Sequence, residues 1–414
     1  MSKILIGCIA DDFTGASDAA SLLAANGLKT VMTCGVPEST DWDTDAEAIV
    51  IATKTRSMEP FDASRESLNA VRWLKKQKVG TFYYKYCSTF DSTRRGNIGP
   101  VTDALLNMLS IPYTVMIPSM LENGRTVRDG ILYVNGVPLA ESHMKSHPIN
   151  PMWDSYLPKL VAPQSKYPCF VLTEADLDRP EETRQQIDSW QAQRRHFHIA
   201  VDYWKPEHGA KIMEFFHDLP LLTGGSGILA DFARYHKGEG CAAPAEPLPS
   251  DPNGRLMLAG SCSQATRAQV SRWLESGGKG IELDPEALLS GEQTVEAVWQ
   301  QVCENRGEDI LVYSCGSYRK EPVSSPECAA VLEKTIAELA GRAVEAGSAK
   351  RIVVAGGETS GAVVQRLAPG AFRIGPSVAP GVPEMTPLTR EDLRIVLKSG
   401  NFGAEDFFLT ALNR

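Results

Sequence analysis

The run from Ile4 to Ala10 carries no charge and almost no polar group, and it stops abruptly on Asp11, Asp12, Phe13, Thr14 and Gly15. A strand that is apolar at every position, rather than at alternate ones, is buried on both faces, as the strands of parallel sheets are. The next stretch, Ala16 to Ala25, is rich in alanine and leucine and closes on Asn26-Gly27, the pattern of a helix with its C-terminal stop. The unit then recurs. Strand-like segments come at Thr30–Cys34, Ala48–Ala52, Thr81–Tyr86 and Tyr113–Ile117, with helical patterns over Ala63–Lys76 and Val101–Leu109. Parallel strands need crossovers long enough to hold a helix, so this alternation predicts an α/β fold with a mostly parallel sheet.

Two interruptions shape the chain. Asp129-Gly130 and Asn135-Gly136 are strong hairpin turns, so Arg125 to Leu139 reads as an antiparallel excursion, and His143 to Pro158 as a long ordered loop. Alternation resumes with Cys169–Leu172, a polar helix over Arg179–Arg194, His198–Val201 and Leu221–Ser226. From His236 to Arg255 the chain reads HKGEGCAAPAEPLPSDPNGR, a glycine- and proline-rich segment suited to a linker. Beyond it strands are expected at Leu256–Ala259, Ile310–Tyr313, Arg351–Val354 and Leu393–Leu397, with helices at Gln264–Leu274, Val295–Glu304, Cys328–Ala346 and Gly361–Leu367. The expectation is two α/β domains with mostly parallel sheets, at residues 1–235 and 256–414, joined by a linker at 236–255, with the active site in the cleft between them.

Charge narrows the partners. The 414 residues carry 42 lysines and arginines against 51 aspartates and glutamates, a net charge of -9, the wrong sign for a general nucleic-acid or anionic-membrane binder. A small anion can still be held by a few local arginines and backbone amides. No stretch reaches the ~18 apolar residues of a membrane span, and Asp11 ends the first apolar run too early for a signal peptide. Nine cysteines, without a C-x-x-C pair, read as reduced core thiols and point to the cytoplasm.

In open α/β sheets ligands collect beyond the carboxyl ends of the strands, so the residues just past each strand matter most. In the first half these residues are charged: Asp11-Asp12, Lys85 with CSTFDSTRRGN (Cys87–Asn97), and ENGR (Glu122–Arg125). In the second half they are small: GSCS (Gly260–Ser263), SCGS (Ser314–Ser317), AGGETSG (Ala355–Gly361) and KSGNFG (Lys398–Gly403). Loops of glycine, serine and threonine entering a helix bring backbone N–H groups close to a phosphate, and Gly357–Ser360 before a helix at Gly361 fits that need. Asp91, Ser92, Thr93, Arg94 and Arg95 together offer a carboxylate and hydroxyls for sugar hydroxyls and guanidiniums for a carboxylate.

Plainer roles compete with each of these. Small residues at strand-to-helix turns also serve close packing and capping, Asp11-Asp12 can cap a helix, and the Asp91–Asn97 segment can be a surface salt-bridged loop. Neither the P-loop signature nor G-x-G-x-x-G after a strand occurs. His196 and His198 lack a third ligand for a metal, and no metal-binding residue is expected.

The motifs IADDFTGASDAA (Ile9–Ala20), KYCSTFDSTRRGNIGP (Lys85–Pro100), ENGRTV (Glu122–Val127), HPINPMWDS (His147–Ser155), GSCS, GGETSG (Gly356–Gly361) and KSGNFG resemble those of the four-carbon acid sugar kinase family, in the family's order and over nearly the whole chain. Trp153 is bulkier than the family pattern at its place. The resemblance implies an N-terminal sugar-acid-binding domain and a C-terminal nucleotide-binding domain. It implies ATP-dependent phosphorylation of the terminal 4-hydroxyl of a four-carbon acid, 3-oxo-tetronate (3-dehydro-tetronate) before D-threonate or D-erythronate. Asp12, with Asp91 as its substitute, would act on that hydroxyl. Asp11, Lys85, Ser92, Thr93, Arg94, Arg95, Arg125 and His147 would bind the substrate, Arg95 taking the carboxylate. Ser261, Ser263, Gly357, Glu358, Thr359, Ser360, Gly400, Asn401 and Gly403 would hold ATP, with Mg²⁺ bridging its phosphates. A homodimer is one option for the oligomer. The competing functions are a phosphatase with Asp11 as nucleophile and a non-catalytic sugar-acid sensor.

Overall fold

The apolar runs read above as strands do form strands in the computed structural model, which describes residues 4–39, 45–90, 92–146, 150–238, 255–315 and 325–412. Asp91, His147 and the linker segment 239–254 lie outside the described residues. Two compact units are present, Met1–Ala243 and Pro244–Arg414.

In the first unit β1 (Ile6–Ala10), β2 (Thr30–Cys34), β3 (Ala48–Ala52), β4 (Thr81–Lys85) and β5 (Tyr113–Ile117) precede a small antiparallel sheet of β6 (Arg125–Arg128), β7 (Ile131–Val134) and β8 (Val137–Pro138). The strands β9 (Cys169–Leu172), β10 (Phe197–Val201) and β11 (Leu221–Gly224) complete the main sheet. Its order is β2-β3-β1-β4-β11-β5-β10-β9, and all its pairings are parallel. The connection from β1 runs to β2 on one side and that from β4 to β5 on the other, which makes the β1/β4 boundary a topological switch point where loops part and a ligand can enter. The hairpin turns are as expected: Asp129, Gly130, Asn135 and Gly136 all take positive φ, as a tight two-residue turn requires.

In the second unit the strands are β12 (Arg255–Ala259), β13 (Lys279–Glu282), β14 (Ile310–Tyr313), β15 (Arg351–Ala355), β16 (Ala371–Ala379), β17 (Val382–Pro387) and β18 (Arg394–Lys398). They run in the order β13-β14-β12-β15-β18-β17-β16, with β17 antiparallel to both of its neighbours. Its switch point is β12/β15. Met257, Leu311, Val353 and Val396 from four adjacent strands pack with Val270, Trp273 and Phe407 from flanking helices. At about 1.5–3 kcal/mol for each large side chain removed from water, such contacts hold the strand ends in place.

Sequence patterning misses several elements. The β16–β17 hairpin contains Gly375, Pro376, Pro380, Gly381, Pro383 and Pro387, which hide a strand pattern, yet register shifts along the hairpin and a turn at Gly381 with φ 71° accommodate them. The helix Pro206–Phe216 also escapes the pattern, although Pro206 occupies its first turn, where no N–H is needed. Residues 143–158 are not a plain loop, since they include a 3₁₀ turn at His143–Ser146 and the start of a helix at Leu157–Val161. The cysteines are not all reduced either: Cys262 and Cys315, 53 residues apart, are disulfide-bonded with Cα atoms 5.5 Å apart. They meet only because β12 and β14 are neighbours, which no local spacing reveals.

Candidate functional site

In the first unit the chemistry gathers at the ends of β1 and β4. Asp12 leaves β1 in an extended conformation and caps the helix Phe13–Ala25, its Oδ1 accepting from Gly15 N at 2.8 Å and its Oδ2 from Thr14 Oγ1 at 3.0 Å. Arg56, a residue no sequence motif marks, ties both aspartates together. It donates from Nε and Nη2 to the two oxygens of Asp11 at 3.0 and 2.7 Å, and its Nη1 lies 2.8 Å from Asp12 Oδ2. The loop that carries Arg56 is itself held by Asn97, whose amide donates to Thr55 O, Arg56 O and Met58 O.

These bonds set the charges. Burial pushes Asp11 up from the usual carboxylate range, more than the Arg56 charge and bonds draw it down. Burial would raise Asp12 too, but Arg56, Lys85 and the Thr14 and Gly15 hydrogen bonds together hold it below that range. Asp11 is 2% exposed and both its oxygens are engaged, an arrangement unsuited to a nucleophile. The buried Lys85 donates to Tyr86 O at 2.9 Å, and a Cβ on Gly15 would stand 2.9 Å from its Nζ and 2.3 Å from Asp12 Oδ1. Gly15 therefore lets the helix start directly over this lysine.

Arg125 has no carboxylate partner among the described residues. It begins β6, donates to Asn123 O, and leaves its Nε buried without a partner. Burial pulls its guanidinium below the ordinary arginine value, with only the Cys87 sulfur opposing. Arg94 and Arg95 are exposed. The Arg94 guanidinium sits 3.7 Å from the Trp153 ring centroid, which fixes its plane while leaving its edge donors open, and Arg95 N donates to Thr93 Oγ1 at 3.2 Å. Ser92 is buried, its hydroxyl accepting from Gln164 Nε2 at 3.0 Å, and Thr93 O accepts from the same amide at 2.6 Å. The segment turns outward at Phe90, a non-glycine residue at φ 47° whose buried ring packs edge-on against Tyr86 at 5.8 Å.

In the second unit three small-residue loops converge on the β12/β15 switch. The helix after β15 spans Gly357–Leu367, so Gly357, Glu358, Thr359 and Ser360 form its first turn rather than a loop ahead of a helix at Gly361. The reason is Gly356, which takes φ 130° and turns the chain straight from strand into helix. The first-turn N–H groups of a helix lack internal acceptors, and Gly357 and Glu358 are exposed. A Cβ on Gly260 would come within 2.2 Å of Thr359 Oγ1, and one on Gly400 within 2.3 Å of Ser261 Oγ, so the loops can close up only because these positions are glycine. Ser263 caps the helix Gln264–Glu275, and its hydroxyl donates to Gly400 O at 2.6 Å. Lys398, 0% exposed and given no role by its KSGNFG motif, donates to Thr266 Oγ1, Ser399 O and Gly400 O at 3.1, 3.2 and 3.1 Å. Gln269 Nε2 donates to the carbonyls of Phe402, Gly403 and Ala404, each at 3.0 Å, and Asn401 is exposed between these anchors. Ser263 and Gly403 thus serve to shape the loop, whereas Ser261, Gly357, Glu358 and Gly400 line its open side.

Among the described residues no group of three His, Cys, Asp or Glu side chains could hold a metal ion. No described helix is long and apolar enough to cross a membrane.

Comparison with known proteins matches both units. Residues 6–232 fit the model of a sugar-binding N-terminal domain, and residues 256–408 that of a nucleotide-binding C-terminal domain. The chain is 39% identical to a 3-oxo-tetronate kinase of Cupriavidus necator over 99% of its own length and 97% of the relative's. It is 40% identical to the 3-oxo-tetronate kinase of Salmonella typhimurium, with 98% of each chain covered. A solved structure from Haemophilus influenzae is similar with a TM-score of 0.83 and 38% identity, over 98% of both chains.

Proposed function

Because the chain belongs to the four-carbon acid sugar kinase family, we propose that it transfers the γ-phosphoryl group of ATP to the terminal hydroxyl of a four-carbon sugar acid. The substrate ranked first is 3-oxo-tetronate, phosphorylated at its 4-hydroxyl, with D-threonate or D-erythronate next. The observation that carries this reading is Arg125: a half-buried guanidinium without a carboxylate partner among the described residues is stabilised by an anionic ligand. Arg125 is therefore ranked above Arg95 for the substrate carboxylate, with Arg94, braced on Trp153, in support.

Phosphoryl transfer is mostly alignment and charge neutralisation. The first turn offers the N–H groups of Gly357, Glu358 and Thr359 to phosphate, Ser360 N already donating to Gly356 O at 2.9 Å, and Ser261 and Gly400 border the same opening. Asp11 and Asp12 are both engaged by Arg56, so Mg²⁺ would be held chiefly by the nucleotide and water, and when bound would offset phosphate charge. We place the protein in the cytoplasm, where ATP is supplied.

The test is ADP formation from ATP with a panel of four-carbon sugar acids, the product read by ³¹P NMR. A new phosphate monoester at C4 of one panel member is expected. Tight sugar-acid binding without ADP formation would leave the sensor in its place. Arg125→Ala should lower kcat/KM for the acid by about tenfold to several hundredfold, the loss of a charge-assisted pair, and leave nucleotide binding intact. A larger loss in Arg95→Ala than in Arg125→Ala would return the carboxylate to Arg95.

A further inference from the structure

We infer that Asp18 is the group that takes the proton from the accepting hydroxyl, an inference that rests on the kinase reading above. At the end of β1 the carboxylate lone pairs of Asp11 and Asp12 are already committed. Both oxygens of Asp11 are held by Arg56, and both oxygens of Asp12 by Gly15 N, Thr14 and Arg56. Asp18 lies one and a half turns further along the same helix, 6% exposed, in a stretch of alanine, serine and glycine that lets it approach the sheet. Its Oδ2 accepts from Ser226 Oγ, while its Oδ1 is buried and has no hydrogen-bond partner.

A buried carboxylate oxygen left unpaired is destabilising, so in a native structure it calls for a reason. A substrate hydroxyl is the donor it lacks. Ser226 is fixed where it is because the Gly224-Gly225-Ser226-Gly227 turn packs against the end of β5: a Cβ on Gly224, Gly225 or Gly227 would meet Ile117 O, Pro118 O or Ser119 O at 2.0, 2.5 and 2.6 Å. The charged groups facing Asp18 are Lys85 from β4, Glu122 from the turn before β6 and Asp12 from its own helix. Burial pushes the Asp18 carboxyl up, and Lys85 and the Ser226 bond only partly oppose it, whereas Asp12 is held down. A proton acceptor works best when its own proton affinity is not depressed far below the working pH, which favours Asp18 of the two.

The step is balanced. The hydroxyl oxygen bonds to the γ-phosphorus as the bond from that phosphorus to the β,γ-bridging oxygen breaks, ADP keeps that electron pair, and the hydroxyl proton passes to Asp18 and then to water.

The experiment compares the full-length wild type with Asp18→Asn, Ser226→Ala, Asp12→Asn and Asp91→Asn in steady-state turnover of ATP and the accepted sugar acid between pH 5 and 9. Asp18→Asn should lose about 10²- to 10⁴-fold in kcat, with ADP binding by calorimetry unchanged. Ser226→Ala should keep measurable turnover and move the acid limb of kcat to higher pH, because losing a donor to a carboxylate raises its pKa. A wild type that forms no ADP overturns the kinase reading and this inference with it. A wild type that turns over, with Asp18→Asn within about fivefold of it in kcat and Asp12→Asn or Asp91→Asn collapsed, overturns the inference alone. If Asp18→Asn does not fold, an acid limb unmoved in Ser226→Ala overturns it equally.

Discussion

Arg56 shows how one side chain can organise a site that sequence motifs only outline. Asp11 and Asp12 were legible, because two acids directly beyond a buried strand are conspicuous, but their shared partner lies 44 residues on in an unremarkable loop after β3. Removing one member of a buried ion pair strands the other, at about 3–5 kcal/mol. Arg56→Met is therefore expected to lower the urea midpoint, and the loss should depend on pH. Without Arg56, burial raises the Asp11 carboxyl further above its unfolded value, so the native state holds a proton the unfolded chain has released, and stability falls as pH rises past about 4. The gap between wild type and variant should thus be larger at pH 7 than at pH 4. An equal gap at both would mean that Arg56 contributes packing and not charge.

At the scale of elements, the helix start at Gly357 and the Lys398 clamp carry the second unit. Gly357→Val puts a branched side chain on an exposed first-turn position, and should raise the ATP dissociation constant strongly while sparing sugar-acid binding; an unchanged constant in folded protein would move the phosphates elsewhere. Lys398 makes a pH prediction. Burial pulls its ammonium down to about 8 from 10.5, so between these values the unfolded chain binds a proton that the native state has lost, and stability from this group rises with pH by up to about 1.4 kcal/mol per unit. The thiols of Cys8, Cys34 and Cys169, pushed up to about 12 by desolvation, act in the opposite direction above pH 9, so the quantity to measure is the difference between wild type and Lys398→Met. That difference should grow from pH 8 to 10. A flat difference would show that the lysine stays charged. KSGNFG was legible as a small-residue loop, but its lysine was given no role, because nothing local says that Thr266 on another helix lies over it.

At the scale of the whole molecule, the composition of residues 236–255 predicts the outcome of limited proteolysis. A glutamate-specific protease should cut first at Glu239 and yield two pieces that keep their circular dichroism. First cuts within the strand–helix alternation would place the boundary elsewhere.

The α/β class, the parallel strands, the hairpin at residues 125–139 and the chemistry of the loops were all decided locally, because periodicity, turn residues and residue type act over a few neighbouring positions. Tertiary structure decided which side chains remain available. Asp12 and Ser263 are spent on caps, Asp11 on Arg56, and Cys262 on Cys315, while Arg125 and Asp18 are left with an unpaired Nε and Oδ1. The two caps use neighbours within three residues, but Arg56 and Cys315 are partners brought in by strand order, and pairing in a parallel sheet joins residues whose separation along the chain carries no local signal.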